Sequence, residues 1–317
     1  MATVNGFKNV LGIFPKGWRV PLSYRRDGQR NDTFVRLAGL HAPEELIRTT
    51  QQNVEPPAPK RDRPAPRTPP ERKPGSEPAP APVPEPEAPR PRTKRAAEKR
   101  PLPPAVAAIY EARRGYANYY FNKLHRDRVG AALQSDSRAF PVDASWTLRG
   151  LLNGQSTLNV TLDEAQTLAR WPPPTGDRQL LLDVKGDLSR DLLPEGSGGL
   201  LTALHLWRRL LTLGPTQFGE VSYQGTAPWP GHDSLTDVLV AVHDVVESRF
   251  FVDPATGRLL GIEMYPDSEV DPCEISFGDY RPVDGRQMPF QLEIRFGETV
   301  FGMWKLDEVS IEASEGE

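Results

Sequence analysis

The chain has 317 residues, of which 38% are hydrophobic and 26% charged, and its formal net charge is −3. The single cysteine, Cys273, excludes an intrachain disulfide and a zinc site built on several cysteines. No apolar run approaches the ~20 residues needed to cross a bilayer as a helix, so we predict no transmembrane segment.

Proline and charge are distributed unevenly. Between Gln51 and Pro104, 18 of the residues are proline, and 12 Lys or Arg stand against 7 Asp or Glu. Residues 105–317 carry 19 basic against 31 acidic residues. A stretch so poor in apolar residues cannot form a core and favours polyproline II. We predict a small β segment at 1–41, a disordered Pro-rich basic linker at 42–103 and a folded acidic domain at 104–317.

The N-terminal segment shows a hairpin signal. Asp27-Gly28 separates two strands, Trp18–Arg25 and Thr33–Leu37. A turn at Asn5-Gly6 and a short helix over Phe7–Phe14 precede them. This order resembles the second half of a PDZ domain of the kind attached to bacterial HtrA/Deg-like, trypsin-like proteases. The Gly-Φ-Gly-Φ loop that holds a peptide in that family is missing, which suggests a start inside a longer gene or a truncated relic.

The helical patterns lie in two places. Apolar residues near one face predict a helix over 104–133, and they are Val106, Ile109, Tyr116, Tyr120 and Leu124. A second, strongly apolar helix is predicted over 198–213, after Gly196-Ser197-Gly198-Gly199. Leu200, Leu204, Trp207 and Leu211 share one face of it.

The remaining runs are typical of strands. Asn153-Gly154 joins strands at Trp146–Leu152 and Ser156–Leu162, and a third covers Gln179–Val184. From about Phe218 to Glu312 short strands follow one another with Pro/Gly turns. The alternation of Phe290, Leu292, Ile294 and Phe296 with polar residues gives one apolar face. We expect the 198–213 helix to cover it, with Leu204 and Trp207 as anchors.

Two runs in this part resemble the LolA/LolB-type lipoprotein-carrier superfamily. They are Phe251–Leu259, with Asp-Pro-Ala-Thr-Gly, and Phe277–Phe290, with Phe-Gly-Asp-Tyr-Arg-Pro-Val-Asp-Gly. The resemblance implies an α+β fold, a curved antiparallel half-barrel covered by helices over 140–312, and a cavity able to hold an acyl chain. A core filled by the helix is the default expectation. The predicted ligand-binding residues are Leu204, Trp207, Leu211, Phe290, Leu292, Ile294 and Trp304.

Catalytic and metal motifs are weak. Glu195-Gly196-Ser197-Gly198-Gly199 departs from the Gly-Asp-Ser-Gly-Gly of trypsin-like enzymes just before the serine, and a helix cap explains Ser197 better. His232-Asp233, His243-Asp244 and the acidic loop Asp267–Asp271 lack the spacing of known metal sites. We predict no catalytic residue, no metal and no cofactor.

We therefore predict a non-enzymatic binding or anchoring module of the cell envelope, with a hydrophobic or lipid ligand. Two alternatives stay open: the C-terminal part of a trypsin-like PDZ protease, and a nucleic-acid binder using the basic arm. In the linker, acidic residues are interleaved with the basic ones and no aromatic residue accompanies them, which disfavours the nucleic-acid binder. A protein partner could use the PDZ-like segment or the linker. Read literally the chain is cytoplasmic, whereas a truncated start would allow the periplasm.

Overall fold

The computed structural model describes residues 17–37, 102–135, 138–172 and 178–313. The predicted helix Phe7–Phe14 and nearly all of the predicted linker lie outside these residues. Of the described residues, 17–37 and 105–313 belong to one compact unit.

The described residues form three helices and thirteen strands. The helices are α1 (Pro104–Ala107), α2 (Tyr119–Ser135) and α3 (Leu200–Gln217). The strands are β1 (Arg19–Arg26), β2 (Gln29–Arg36), β3 (Ser145–Leu152), β4 (Ser156–Leu162), β5 (Gln166–Trp171), β6 (Arg178–Asp183), β7 (Glu220–Pro228), β8 (Leu235–His243), β9 (Val246–Val252), β10 (Leu259–Tyr265), β11 (Cys273–Val283), β12 (Arg286–Phe296) and β13 (Thr299–Glu312).

Eleven of the described strands form one open antiparallel sheet. Its order is β6-β5-β4-β3-β13-β12-β11-β10-β9-β8-β7, and β1-β2 forms a separate two-stranded sheet. Within the large sheet, the pairing of β13 with β3 joins strands distant in sequence. The α+β antiparallel prediction is confirmed. Val300–Lys305 and Val309–Ile311 belong to one long strand, β13, which has a register shift between Leu306 and Glu308. The short, half-polar β5 was not predicted.

Helix α3 shows that the sheet is curved. It packs against β4 and β5 near one edge, against β10 and β11, and against β7 at the other edge. Strands β5 and β7 are nine steps apart in the order, which in a flat sheet is about 43 Å. An 18-residue helix is only ~27 Å long and ~10–12 Å across, so neither dimension spans that distance. The sheet therefore wraps around α3, which gives the predicted half-barrel.

The tight turns follow the predicted chemistry. Asp27-Gly28, Asn153-Gly154 and Asp284-Gly285 each have positive φ at both residues, from 49° to 79°. Two positive φ values define the type I′ turn, whose twist matches that of the flanking strands. The hairpin signals read from the sequence at Asp27-Gly28 and Asn153-Gly154 are confirmed.

The start of α3 depends on glycine and on Ser197. Gly198 has φ 69°, and a Cβ there would lie 2.3 Å from a ring carbon of Phe296, so only glycine fits. The Ser197 hydroxyl accepts hydrogen bonds from the N–H groups of Gly199 (3.2 Å) and Leu200 (3.0 Å). The regular helix ends as predicted, because Gly214 has non-helical φ 68° and ψ 173° before Pro215.

The predicted single helix over 104–133 is wrong. The structure has the four-residue α1, a non-helical segment, and then α2. The Asn118 side chain causes the break: its Oδ1 accepts from the Tyr120 N–H (3.1 Å), and its Nδ2 donates to the Ile109 carbonyl (2.7 Å). The predicted apolar stripe fails with it, since Val106, Ile109 and Leu124 are exposed. The buried residues of α2 are Tyr119, Val129 and Gly130.

We predict that His205 makes the fold sensitive to acid. This α3 residue is 4% exposed, and burial, helped by His243 and Arg209, lowers its pKa from 6.5 to about 3. The unfolded chain binds this proton below pH 6.5, so stability is present above that pH and lost as the pH falls towards 3. In urea titrations from pH 7 to 4, wild type should lose up to ~1.4 kcal/mol per pH unit more than His205→Leu. Parallel curves would contradict this, and His232→Leu, at an exposed histidine, is the control.

Candidate functional site

The predicted ligand-binding residues form part of the core. Leu204, Trp207, Leu292, Ile294 and Trp304 are fully buried, Phe290 is 9% exposed, and Leu211 packs against the same cluster from its edge. The Trp207 ring stacks on Phe277 at 4.9 Å and meets Trp146 edge-on at 5.4 Å. The structure thus brings the seven residues into one cluster, and α3 fills the concave face where the resemblance implied a cavity.

Open space lies on the other side of α3. A cleft of about 290 Å³ separates α2 from the C-terminal part of α3, and the segment after α2 closes one end of it. Ligand pockets commonly measure about 300–1,000 Å³, so this cleft is at the lower end of the range. It is lined by Gly130, Leu133, Gln134, Arg138, Ala139, Phe140, Leu210, Leu211, Thr212, Gly214 and Pro215.

A second, smaller hollow adjoins the cleft. Its volume is about 30 Å³, and it shares Leu133, Phe140 and Leu211 with the cleft. It continues beneath α2 towards Trp207 and towards Tyr280 on β11. The shared residues place the two hollows next to each other, with Leu133, Phe140 and Leu211 in the walls of both. Of the seven predicted residues, Leu211 and Trp207 line these hollows.

Other lining residues carry no motif, and sequence analysis missed them. Leu133, Phe140 and Pro215 come from three segments that only the fold brings together. The sequence contained one signal of the cleft. Gly214-Pro215 interrupts a strongly apolar helix, and an interrupted helix can leave space beside a neighbouring helix.

The two helices approach closely below the cleft. A Cβ on Gly130 of α2 would lie 2.8 Å from Cγ of Pro215, so glycine permits this contact. Gly214, just before Pro215, has non-helical geometry. The crossing at Gly130 and the kink at Gly214 together shape the cleft.

Polar contacts fix α2 against the strands at the sheet edge. Arg128 donates two hydrogen bonds to the buried carboxylate of Asp237 on β8, at 2.9 and 2.7 Å. The Tyr223 hydroxyl donates to the same carboxylate at 2.9 Å. Asn122 bonds the backbone of edge strand β7, because its Nδ2 donates to the Tyr223 carbonyl (2.7 Å) and its Oδ1 accepts from the Tyr223 N–H (3.1 Å). Asn122 therefore completes hydrogen bonds that a further strand would otherwise make.

The rim of the cleft is polar and cationic. Arg138 and Gln134 are exposed there. The Arg138 backbone N–H donates to the Gly285 carbonyl at 2.8 Å, which fixes the position of the segment. Its guanidinium makes no ion pair with another described residue. An apolar floor beneath this cation suits an amphiphile with a negative end.

The catalytic and metal candidates form no comparable site. Ser197 is fully buried, and its hydroxyl donates to the Pro194 carbonyl at 2.6 Å while capping α3, so it is not presented to a substrate. Among described residues, no group of three or more His, Cys, Asp or Glu side chains could hold a metal ion. Within the same residues, no helix has the length and apolarity of a membrane span.

No protein-family model matches the chain, and no curated protein matches its sequence. Several solved structures are similar to it, and three of them are described here. A Vibrio parahaemolyticus domain described as a putative outer membrane lipoprotein-sorting protein has a TM-score of 0.39 and 11% identity, with 63% of this chain and 96% of that chain covered. A LolA superfamily protein from Nitrosomonas europaea has a TM-score of 0.37 and 9% identity, with 60% and 92% covered.

The third is a DUF1329 family protein from Desulfovibrio piger, with a TM-score of 0.36, 11% identity, and 62% of this chain and 94% of that chain covered. All three TM-scores are below 0.5. These likenesses therefore decide neither the family of this chain nor its ligand.

We predict that Asn122→Ala destabilises the attachment of α2. The change leaves the N–H and C=O of Tyr223 without their side-chain partner, which costs about 1–3 kcal/mol. Urea unfolding of the full chain measures the loss. Lys123→Ala is the control: it removes only an exposed 3.4 Å ion pair to Glu111 and should change stability by less than ~1 kcal/mol. Equal losses in both variants would contradict the role given to Asn122.

Proposed function

We propose that this protein is a non-enzymatic binding module that holds one apolar chain, such as the acyl chain of a lipid, in the cleft between α2 and α3. The observation that supports this is a cleft of about 290 Å³ whose walls include Leu133, Phe140, Leu210, Leu211 and Pro215, with Arg138 at its rim. A role in the cell envelope stays a prediction. The alternative that the chain is the C-terminal part of a trypsin-like PDZ protease also stays a prediction. The nucleic-acid alternative also stays a prediction, because the basic linker lies outside the described residues.

The chemistry of the walls favours an alkyl chain over a polar metabolite. Leu133, Phe140, Leu210, Leu211 and Pro215 offer carbon surface, and each buried CH₂ contributes about 0.8 kcal/mol. The cleft is small, so it suits a single chain. Longer ligands would extend into the adjoining hollow towards Tyr280.

The rim favours a ligand with a negative end. With its chain against Leu211, an acid would have its carboxylate near Arg138. A guanidinium binds a carboxylate through two parallel hydrogen bonds, a geometry that a neutral alcohol cannot use. We therefore propose an anionic amphiphile, with a fatty acid as its simplest example.

We predict that blocking the mouth of the cleft abolishes binding. Ala139 is exposed and lines the cleft, so Ala139→Trp should fill the mouth without entering the core. Native mass spectrometry of the full chain with added dodecanoate should show at least a ~10-fold weaker complex, or none. Val142→Trp is the matched control, because Val142 is 45% exposed in the same segment and does not line the cleft. Absence of binding to wild type, or equal binding by both variants, would refute the proposal.

We further predict that Arg138→Gln separates acids from alcohols. The change keeps an amide donor and removes the charge, so dodecanoate should bind about 3–10-fold more weakly while dodecanol is unaffected. Arg149→Gln, an exposed arginine on β3, is the control. If both ligands weaken equally, Arg138 contributes packing rather than charge recognition.

A further inference from the structure

The hairpin β1-β2 lies against the outer face of the large sheet, away from α3. Among the described strands it pairs only within itself, so side chains make the contact with the large sheet. Trp18 packs on a small apolar cluster on this face, separate from the main core. The cluster consists of Ala227, Trp229, Val238, Phe251 and Leu260. Gly261 makes room for it, since a Cβ there would lie 2.1 Å from the Trp229 ring.

Beside this cluster the sheet carries two buried carboxylates. Glu263 on β10 and Glu274 on β11 are directly opposite each other in the register, and their side chains are 2% and 1% exposed. Like charges at directly opposed positions repel each other across a sheet. The sheet places Arg249 opposite Glu263 and Arg295 opposite Glu274 on the outer neighbouring strands, but these arginines bind Glu247 and Glu293. Burial beneath the hairpin raises the pKa of Glu274 to about 7, so the two covered carboxylates need cationic partners in contact with them.

The hairpin carries two arginines, one on each strand, that match the two glutamates of the sheet. Arg19 on β1 and Arg36 on β2 are also directly opposite each other. Arg36 binds Glu263 at 2.8 Å and Glu274 at 3.0 Å, while Arg19 lies 2.7 Å from Glu274. The Tyr265 hydroxyl donates to Glu263 at 2.8 Å and accepts from Arg36 at 2.7 Å. Two carboxylates and two guanidinium groups thus come into contact where the hairpin meets the sheet.

We propose that the Glu263–Glu274 face is a docking site for an arginine-paired β-hairpin, and that residues 17–37 are its tethered ligand, which folds on docking. A two-stranded hairpin is marginally stable in water at best, and among the described residues this one packs only against the large sheet. Its strands beyond the contact expose Leu22, Tyr24 and Val35. This proposal is independent of the α2–α3 cleft.

Docking has a consequence for the chain between the two surfaces. In the sequence, residues 38–103 connect the hairpin to α1, so docking brings the hairpin end of this segment onto the same compact unit as residues 105–313. The site thus decides whether the Pro-rich segment is held at both ends. Release would also uncover Trp229, Phe251 and the two carboxylates.

The first test uses hydrogen exchange in the full chain. In Arg19→Glu/Arg36→Glu the docking charges are reversed, so amides of β1 and β2 should exchange at least ~10-fold faster while β9 to β12 stay protected. Arg25→Glu/Arg26→Glu changes the same hairpin by the same charge at its exposed tip and should leave exchange unaltered. Unchanged protection of the hairpin in the first variant, or equal loss in both, would overturn the proposal.

Reversed charges could disturb the sheet itself, so a second variant removes charge from the other side. Glu263→Gln/Glu274→Gln abolishes the repulsion within the sheet and keeps the side-chain shapes. We expect strands β9 to β12 to stay protected while the hairpin amides lose protection. Retained protection of the hairpin here would show that packing at Trp18, and not the charge set, holds it.

The second test asks whether the hairpin is a ligand. A specific protease site is inserted between Gly75 and Ser76 of the full chain, and the protein is cut and passed over a size-exclusion column. The N-terminal fragment should co-elute with the sheet domain in wild type and in Arg25→Glu/Arg26→Glu, and should separate in Arg19→Glu/Arg36→Glu. Separation of the wild-type fragments would overturn the proposal.

Discussion

The burial of α3 inside the curved sheet is the interaction on which this structure depends. Leu204 and Trp207 are fully enclosed, and the helix contacts strands near both edges of an eleven-stranded sheet. Each fully buried large apolar side chain contributes roughly 1.5–3 kcal/mol to folding. The apolar face of α3 therefore stabilises the curved sheet at each strand that the helix contacts. Because α3 occupies the concave face of the sheet, the apolar side chains of that face pack against the helix.

The kink near the end of α3 links this core to the proposed function. Helical geometry breaks at Gly214, and Pro215, which follows it, contacts Gly130 of α2. The space that results is open at its mouth and apolar at its floor. The cleft lies between the two helices, and α3 fills the concave face of the half-barrel.

The outer face shows a different use of charge. Buried ion pairs give little net stability, because the loss of hydration offsets their attraction, but an unpaired buried charge is strongly unfavourable. The Glu263–Glu274 pair and the Arg19–Arg36 pair therefore contribute specificity more than strength. The aromatic contact of Trp18 supplies the apolar part of the same surface.

Local rules predicted much of this fold. Turn chemistry placed Asp27-Gly28 and Asn153-Gly154, and period-two alternation placed the apolar face of β12, because both depend on neighbouring residues alone. The helix over 104–133 failed because Asn118 caps a new start, a contact that spacing does not reveal. The division into segments 1–41, 42–103 and 104–317 stays a prediction.

By itself the sequence determined the antiparallel α+β class, the greasy helix that covers the sheet, and the one-sided strands. Only the tertiary structure decided that α3 fills the half-barrel, that the open cleft lies between α2 and α3, and that Arg19 and Arg36 meet Glu263 and Glu274. The physical reason is separation along the chain. Periodicity records which face of an element is apolar, whereas a cleft or a charge cluster depends on which distant faces meet.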